Sequence, residues 1–261
     1  MSDRNKKIAS MLLIVSGMAL VILNLSGFVV GVTVIDKNYV KSHDAIPGYS
    51  YQISEISKLR NMLEKPMPHF DLEEVNNTIF ESIIHSDRRR IQLYENWLLW
   101  FGGKIYAPLG QTQIPHRIVS GEGGLCSEVS AVMNSIAEMN GYQARFIGLN
   151  GHVVSEVLTD SGWRVADPDY GVTYPVSIEI LESEEGPDLM RQQLQSRGYK
   201  DETIKGYIKL FQSSEDNTLT EIGTAMSPRL YVIETTSEIL KWVIPIIAII
   251  LGIIIRKKYT T

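Results

Sequence analysis

Two long apolar stretches lie near the ends of the chain, and a longer part of mixed polarity separates them. The first, residues 8–35, contains no charged residue. About 20 apolar residues, each rising ~1.5 Å along a helix, cross the hydrocarbon core of a bilayer. The second, residues 239–255, is shorter and includes Lys241, whose long side chain can extend to the membrane surface. We therefore predict two transmembrane helices.

Each stretch has a competing interpretation. The first could be a cleavable signal peptide, but such a peptide has an apolar core of about 7–15 residues followed by a small-residue cleavage site, and the stretch has neither feature. The second could be a helix buried in a soluble core. A globular helix usually keeps one polar face, however, and residues 242–255 have none.

The basic residues around the apolar stretches predict their orientation. They are concentrated just before the first stretch, at residues 4–7, and in the tail, residues 256–261. By the positive-inside rule both termini are then cytoplasmic, and residues 36–238 face the other side of the membrane. Lys37 and Lys41 are a weaker signal in the opposite direction.

Helical periodicity dominates the first part of the segment between the spans. Residues 36–70 predict a juxtamembrane linker with an amphipathic helix between Ile53 and Glu64. A domain is predicted over residues 71–228. Asp71 stands at the N-cap position of its first helix, and Glu74 follows three residues later, as in a capping box.

Two flanking parts of this predicted domain contain no candidate catalytic residues. The apolar stretch Ile91–Phe101 holds Trp97 and Trp100, which we interpret as core residues, and Gly102-Gly103 is expected to end it. Residues 177–228 predict short helices that either cover a cleft or connect the domain to the second span.

The centre of the chain, residues 121–171, carries the candidate chemistry. Apolar residues recur at helical spacing after Cys126 until Asn140-Gly141, so a helix is predicted with Cys126 at its N-terminus. Backbone N–H groups and the helix dipole at that position stabilise a thiolate and a nearby oxyanion. Taken alone, this helix is equally compatible with a buried structural cysteine.

After this helix the periodicity changes from helical to extended. Three strands are predicted, Ala144–Leu149, His152–Leu158 and Trp163–Asp167. Asn150-Gly151 and residues 159–162 have the composition of tight turns between them. The predicted unit is therefore a helix followed by an antiparallel meander.

The register of the meander determines which carboxylate meets the histidine. If Leu158 pairs with Trp163, side-chain alternation places His152, Asp167 and Asp169 on one face of the sheet. Asp167 is then the diagonal neighbour of His152. Asp169 lies directly opposite, but beyond a proline that should end the strand. Asp167 is the preferred partner in this hypothesis, and Asp169 is the rival.

A thiol, an imidazole and a carboxylate in this order can act as a catalytic triad. The carboxylate holds one imidazole nitrogen, so that the other nitrogen can take a proton from the thiol and later return it to a leaving group. We predict Cys126, His152 and Asp167 as the catalytic residues.

Composition narrows the remaining classes of function. The single cysteine among 261 residues excludes an intrachain disulfide and a multi-cysteine metal site. The formal net charge of −5 is not concentrated in blocks, so nothing indicates a nucleic-acid partner. No second histidine or cysteine lies close in sequence to Cys126 or His152. We therefore expect neither a metal nor a cofactor.

The same central residues resemble the transglutaminase-like superfamily, whose fold is similar to that of papain-type proteases. The resemblance spans about a fifth of the chain, and its short ordered spacings are more specific than any one motif. The matching pieces are Gly-Gly-Leu-Cys at 123–126, Gly-Tyr-Gln-Ala-Arg at 141–145, Gly-His-Val-Val-Ser-Glu-Val at 151–157 and Gly-Trp-Arg-Val-Ala-Asp-Pro-Asp-Tyr-Gly at 162–171.

This resemblance implies a specific chemistry. Cys126 is expected to be the nucleophile, His152 the general base and acid, and Asp167 the orienting group in acyl transfer through a thioester. Two departures make protein cross-linking of the animal type less expected than hydrolysis or a specialised transfer. Val154 replaces an aromatic residue often found two positions after the family histidine, and no tryptophan follows Cys126.

The sequence thus predicts an α+β, transglutaminase-like or papain-like domain, with its nucleophile helix packed on an antiparallel sheet, between two transmembrane helices. The expected function is that of a membrane-anchored cysteine enzyme, a peptidase, amidase or acyltransferase. Its expected substrate is a peptide, protein or other amide-bearing component of the cell envelope, outside the cytoplasm. The alternative is a catalytically silent module of the same fold that serves as a scaffold in an envelope or surface-polymer assembly.

Overall fold

The computed structural model describes residues 3–32, 55–86, 90–212 and 217–258. These residues form helices and a five-stranded antiparallel sheet, which confirms the predicted mixture of α and β structure. Residues 33–35 of the first predicted span and 36–54 of the predicted linker lie outside the described residues.

The described chain divides into two compact units. Unit 1 contains the two terminal helices and residues 90–112, and unit 2 contains residues 55–86 and 113–228. The sequence predicts a linker, 36–70, and one continuous domain, 71–228. This division differs from units 1 and 2 in two respects. The helix within the linker belongs to unit 2, and residues 90–112 interrupt the domain in sequence.

The terminal helices of unit 1 are α1 (Asp3–Val30) and α10 (Pro228–Lys258). Both are long and apolar enough to cross a membrane. In their most apolar parts only 17% and 11% of the residues are buried, whereas a core helix of a soluble protein is mostly enclosed. Helix α10 also extends well beyond the predicted 239–255, so its length is sufficient for a full span.

Small residues allow α1 and α10 to pack closely against each other. A Cβ atom on Gly17 would lie 2.7 Å from the carbonyl oxygen of Pro245, and one on Gly252 would lie 2.8 Å from the carbonyl oxygen of Ser10. These pairs run in opposite directions along the two helices, so the helices are antiparallel. Close backbone approach at glycine is a typical way for membrane helices to associate.

Residues 90–112 contain helix α4 (Trp97–Ile105) and a short 3₁₀ helix (Ala107–Gly110). The prediction that Gly102-Gly103 ends the first of these helices is wrong, because the helix continues for two more residues. The glycines instead permit close packing of the chain that follows. A Cβ on Gly103 would lie 2.9 Å from the Cα of Gly110.

The centre of unit 2 is a five-stranded antiparallel sheet. All three strands of the predicted meander are present, and one further strand lies at each edge. Two additional short segments form a separate parallel pair. In chain order the strands are β1 (Ile84–His85), β2 (Gly123–Gly124), β3 (Gln143–Leu149), β4 (His152–Thr159), β5 (Gly162–Asp167), β6 (Val172–Tyr174) and β7 (Thr218–Ile222).

The strand order of the sheet is β6-β5-β4-β3-β7. The predicted register between β4 and β5 is confirmed, with Leu158 opposite Trp163. The β3–β4 turn contains Gly151 at a φ of 82°, a left-handed conformation that glycine adopts without steric cost. Strand β7 was not predicted, because it lies in a polar segment and is largely exposed at the edge of the sheet.

Seven helices in the described residues surround this sheet. The predicted start of the first domain helix is confirmed, because the Asp71 side chain accepts hydrogen bonds from the N–H groups of Glu73 and Glu74. The Glu74 side chain forms an ion pair with Lys58. The helices are α2 (Ile56–Glu64), α3 (Leu72–Ser82), α5 (Pro115–Gly121), α6 (Cys126–Met139), α7 (Ile178–Leu181), α8 (Gly186–Ser196) and α9 (Asp201–Gln212).

Both faces of the sheet are buried, and each contributes to its own hydrophobic cluster. Phe146 and Val157 pack with residues of α2, α3, α5 and α6 on one face. Ile147, Val154 and Val165 pack with residues of α7, α8 and α9 on the other. Alternation along the strands therefore produces three layers, with α6 on one side of the sheet and α9 on the opposite side.

Candidate active site

Cys126 is the first residue of α6 and is partly exposed. The loop before it is held by Glu128, whose carboxylate accepts a hydrogen bond of 2.8 Å from the N–H of Leu125. The N–H groups in the first turn of a helix have no partner within the helix, and they give this end a partial positive charge. The thiol therefore lies where a thiolate and a developing oxyanion are both favoured.

Gly124 allows this loop to fold tightly onto the helix. A Cβ at this position would lie 3.0 Å from the Cβ of Glu128 and 3.3 Å from Cγ2 of Ile118. Gly124 also pairs with His85, its partner in the short β1–β2 ladder. The chain entering α6 is therefore held from both sides, by Glu128 and by β1.

His152 begins β4 and is 6% exposed. Its Nε2 lies 2.7 Å from Oδ2 of Asp167, and its interaction with the Cys126 side chain raises the pKa of the imidazole. Because Asp167 occupies Nε2, Nδ1 is the nitrogen available to the thiol. Hydrogen bonds from Ser130 to the carbonyl of Val153, and from Ser155 to the carbonyl of Ser130, connect α6 to β4 behind this pair.

Asp167 is completely buried, and both of its oxygens are satisfied. Oδ2 accepts from Tyr207 at 2.9 Å in addition to its contact with His152. Oδ1 accepts from the backbone N–H groups of Asp169, at 3.0 Å, and Tyr170, at 3.1 Å. A buried carboxylate needs such partners to remain charged, and four of them hold this one rigidly.

Asp169, the rival carboxylate, contacts a different histidine. Its Oδ1 lies 2.5 Å from Nδ1 of His85, whereas its Oδ2 is 3.9 Å from Nδ1 of His152. Asp167 thus makes the closer contact with His152. Sequence reasoning missed His85, because the ladder that positions it is two residues long and leaves no periodic signal.

Electrostatics favours a protonated imidazole at both histidines. Burial alone lowers the pKa of His152, but the charge of Asp167 and hydrogen bonds to Asp167 and Cys126 outweigh it, and the pKa is raised well above 6.5. The pKa of His85 is raised by its hydrogen bond to Asp169, against the opposing effect of burial. At both rings the neighbouring carboxylates therefore favour the protonated imidazole over the neutral one.

Aromatic side chains enclose the far side of His152. The ring of Tyr170 packs edge-on against it with a centroid distance of 5.4 Å, and Tyr207 lies 6.3 Å away. Tyr199 holds this wall in place by donating to the carbonyl of Tyr170. Burial raises the pKa of Tyr207 well above its ordinary value of 10, so its hydroxyl stays protonated and remains a donor to Asp167.

No protein-family model, curated protein or solved structure compared with this chain matches it. The resemblance to the transglutaminase-like superfamily therefore rests on residues 123–171 and stays a prediction. In the described part of the chain, no three or more His, Cys, Asp and Glu side chains are grouped so that they could hold a metal ion.

The three predicted catalytic residues lie together in unit 2, and their roles remain predictions. The arrangement contains a partly exposed thiol at a helix N-terminus, an imidazole beside it and a saturated buried carboxylate behind the imidazole. These are the parts that nucleophilic attack on a carbonyl carbon requires. His85, Asp169 and Tyr207 extend the arrangement into a continuous polar network.

Proposed function

We propose that this protein is a membrane-anchored cysteine enzyme of the transglutaminase-like type, which cleaves or transfers peptide or amide bonds through a thioester. The observation that carries the proposal is the 2.7 Å contact between His152 and the fully buried Asp167, beside Cys126. A carboxylate saturated by four donors fixes the orientation of the imidazole and stabilises its protonated form. A histidine with a purely structural role does not require a partly exposed thiol next to it.

The chemistry follows from the positions of the three side chains. The Sγ atom of Cys126 attacks the carbonyl carbon of the amide, and the thiol proton is held by His152. The N-terminal N–H groups of α6 stabilise the negative charge that develops on the carbonyl oxygen. As the C–N bond breaks, His152 gives the proton to the leaving amine, and the acyl group remains on Cys126 as a thioester.

Water or a second amine then completes the reaction. His152 removes a proton from this acceptor as it attacks the thioester carbonyl, the C–S bond breaks, and Cys126 is regenerated. The departures at Val154 and after Cys126 favour hydrolysis or a specialised transfer over cross-linking of proteins.

In this proposal α1 and α10 span the membrane, and unit 2 works outside the cytoplasm. The exposed apolar surfaces of α1 and α10, and the close antiparallel packing of these two helices, support their assignment as membrane spans. The basic residues at 4–7 and 256–258 support cytoplasmic termini. The proposed substrates are accordingly peptides, proteins or other amide-bearing components of the cell envelope.

Alkylation of the single cysteine by an iodoacetamide probe tests the proposal. The full chain in detergent is compared with Cys126→Ala, His152→Ala and Asp167→Asn at neutral pH. His69→Ala and Asp160→Asn are matched controls, because both residues are exposed in unit 2. Candidate peptide and amide substrates are then added as competitors of the probe.

We expect rapid labelling of the wild type and of both controls, no labelling of Cys126→Ala, and at least about 10-fold slower labelling of His152→Ala. Asp167→Asn should also label slowly, because its histidine is no longer held by a carboxylate. If a folded wild type does not label, or if His152→Ala labels as fast as the wild type, the thiol is not activated and the scaffold interpretation takes the place of catalysis.

A further inference from the structure

A proline in α10 leaves a backbone acceptor that two other elements of unit 1 satisfy. Pro245 has no N–H, so the carbonyl of Lys241 lacks its usual partner within the helix. Asn24 of α1 donates to this oxygen at 2.6 Å, and the indole of Trp97 donates to it at 3.4 Å. Helix α4 is thereby joined to the pair of apolar helices at the level of Lys241.

Further contacts hold the start of α4 on the same turn of α10. The ammonium group of Lys241 donates to the carbonyl of Glu95 at 2.8 Å and pairs with Glu238 at 2.6 Å. The amide of Asn96, the N-cap of α4, donates to the side chains of Ser237 and Glu238, each at 2.8 Å. The position of α4 along α10 is therefore well determined.

This position corresponds to one margin of the predicted span. Eighteen residue-to-residue steps lead from Glu238 to Arg256, the start of the basic tail. They correspond to about 27 Å of helix, close to the ~30 Å thickness of a hydrocarbon core. Helix α1 indicates the same margin, because a Cβ on Gly27 would collide with the carbonyl oxygen of Tyr94, shortly before α4. Helix α4 thus begins at the membrane margin opposite the basic tail.

The aromatic residues of unit 1 cluster at this margin. Three of the four tryptophans of the chain, Trp97, Trp100 and Trp242, belong to α4 or to the adjacent turn of α10. Trp242 stacks on Phe28 of α1 with a centroid distance of 5.9 Å. Tryptophan and tyrosine are enriched where membrane proteins cross the boundary between hydrocarbon and water.

Helix α4 also presents large apolar side chains that remain uncovered. Phe101 is 56% exposed, Ile105 is 91% exposed and Tyr106, just after the helix, is 57% exposed. Phe101 and Ile105 are four residues apart and therefore share one face of the helix. Lys104 lies with its ammonium group 5.0 Å from the ring centre of Trp100, and it lines a cleft together with Arg90. Cations at this level attract lipid phosphates.

We propose that α4 is an interfacial helix, which lies in the headgroup layer of the membrane that α1 and α10 cross and inserts Phe101 and Ile105 toward the acyl chains. Its partner is the lipid surface on the side away from the basic tail. The inference rests on the proposed spans. It adds a third membrane contact, which burial of apolar side chains and attraction of Lys104 to phosphates both stabilise.

Fluorescent probes at single cysteines test this placement in the full chain. Cys126→Ser removes the native thiol, and Ile105→Cys or Phe101→Cys provides a site for an environment-sensitive nitrobenzoxadiazole label. The protein is reconstituted in vesicles of phosphatidylcholine and phosphatidylglycerol that carry a nitroxide either near the headgroup or deep in the acyl chain. Ile250→Cys, within the span, and Asp160→Cys, exposed in unit 2, are the reference positions.

For the labels at positions 105 and 101 we expect at least twofold stronger quenching by the shallow nitroxide than by the deep one, and little quenching by iodide in the water. The label at position 250 should show the reverse preference for nitroxide depth. The label at position 160 should be quenched by iodide and by neither lipid.

Three outcomes would overturn the inference. If position 250 responds to the deep nitroxide while positions 105 and 101 respond only to iodide, α4 faces water and the spans alone remain. If positions 105 and 101 are shielded from iodide and from both lipids, a protein surface such as a second copy covers α4. If position 250 responds to no lipid, the proposed spans fail, and the interfacial placement fails with them.

Discussion

Tyr207 and His152 both contact the same carboxylate oxygen, Oδ2 of Asp167, at 2.9 Å and 2.7 Å. Tyr207 comes from α9, which packs on the face of the sheet opposite α6. The outer helical layer therefore takes part in holding the candidate triad, although no residue of it was predicted to belong to the site. Two donors on one oxygen restrict the position of this buried carboxylate more than a single donor does.

Tyr207→Phe should weaken both the fold and the site. It removes a hydrogen bond to a charged group, which typically contributes about 1.5–3 kcal/mol to the free energy of unfolding. Tyr199→Phe is the matched control, because it removes a hydrogen bond to a neutral carbonyl, which contributes about 0.5–1.5 kcal/mol. Denaturant unfolding measures the two losses. Equal losses, together with unchanged alkylation of Cys126 in Tyr207→Phe, would show that the tyrosine does not support Asp167.

The two carboxylates near His152 should differ sharply in their effect on activity. Asp167→Asn removes the charge beside the imidazole, and we expect a loss of about 100-fold or more in turnover, with alkylation slowed no more than in His152→Ala. Asp169→Asn should reduce the rate less, because its closest contact is His85. Rate measurements on both variants, with folding checked by circular dichroism, test this difference. A larger effect of Asp169→Asn would reverse the assignment.

The ion pair between His85 and Asp169 should make stability depend on pH in a defined direction. The pKa of His85 in the folded state is raised above its ordinary value of 6.5. Its contribution is therefore fully present below the unfolded-state pKa and is lost as pH rises through the folded-state pKa. Between the wild type and His85→Gln, the difference in the free energy of unfolding should be larger at about pH 6 than at about pH 9.

Denaturation at these two pH values measures that difference, with His69→Gln as the control at an exposed histidine. The control measures what removal of an exposed histidine alone does to the free energy of unfolding at each pH. A difference for His85→Gln that increases with pH would mean that the folded protein binds this proton less tightly than the unfolded chain does, contrary to the geometry.

The hydrogen bond from Asn24 to the carbonyl of Lys241 should depend on Pro245. With the proline present, Asn24→Leu leaves the carbonyl with one donor fewer, and we expect a loss of about 0.6–2 kcal/mol. With Pro245→Ala, residue 245 regains an N–H that can donate to Lys241, so the same change at Asn24 should cost much less. A double-mutant cycle measured by unfolding in detergent gives the coupling. If the losses in the free energy of unfolding from the two substitutions are additive, the hydrogen bond of Asn24 does not depend on Pro245.

Local pattern alone was sufficient for the elements that carry the candidate triad. The sequence pattern predicts the helix that begins at Cys126, its end at Asn140, and the register of Leu158 opposite Trp163, and the fold contains all three. These features depend on residues a few positions apart, through helical periodicity, side-chain alternation and turn composition. His152 and Asp167, which are 15 residues apart, are brought together by one hairpin of this kind.

Contacts over longer distances in sequence could not be predicted in the same way. His85 meets Asp169 across 84 residues, and Tyr207 meets Asp167 across 40. Neither pair leaves a periodic signal, because each depends on how helices pack on the two faces of the sheet. The strand pattern favoured Asp167 over Asp169 as the partner of His152, but it could not predict that Asp169 contacts His85.

The features related to the membrane divide in the same way, into those that the sequence pattern predicts and those that depend on long-range contacts. The apolar stretches and their basic flanks are properties of the sequence itself, since hydrophobic length and charge need no partner to be recognised. The position of α4 beside Lys241 depends on the acceptor that Pro245 leaves and on donors from Asn24 and Trp97, which lie far apart along the chain. The sequence by itself predicted the apolar stretches, the helix after Cys126, the three central strands and the candidate catalytic residues. Only the tertiary structure decided which distant side chains support them, because those contacts arise from packing rather than from local periodicity.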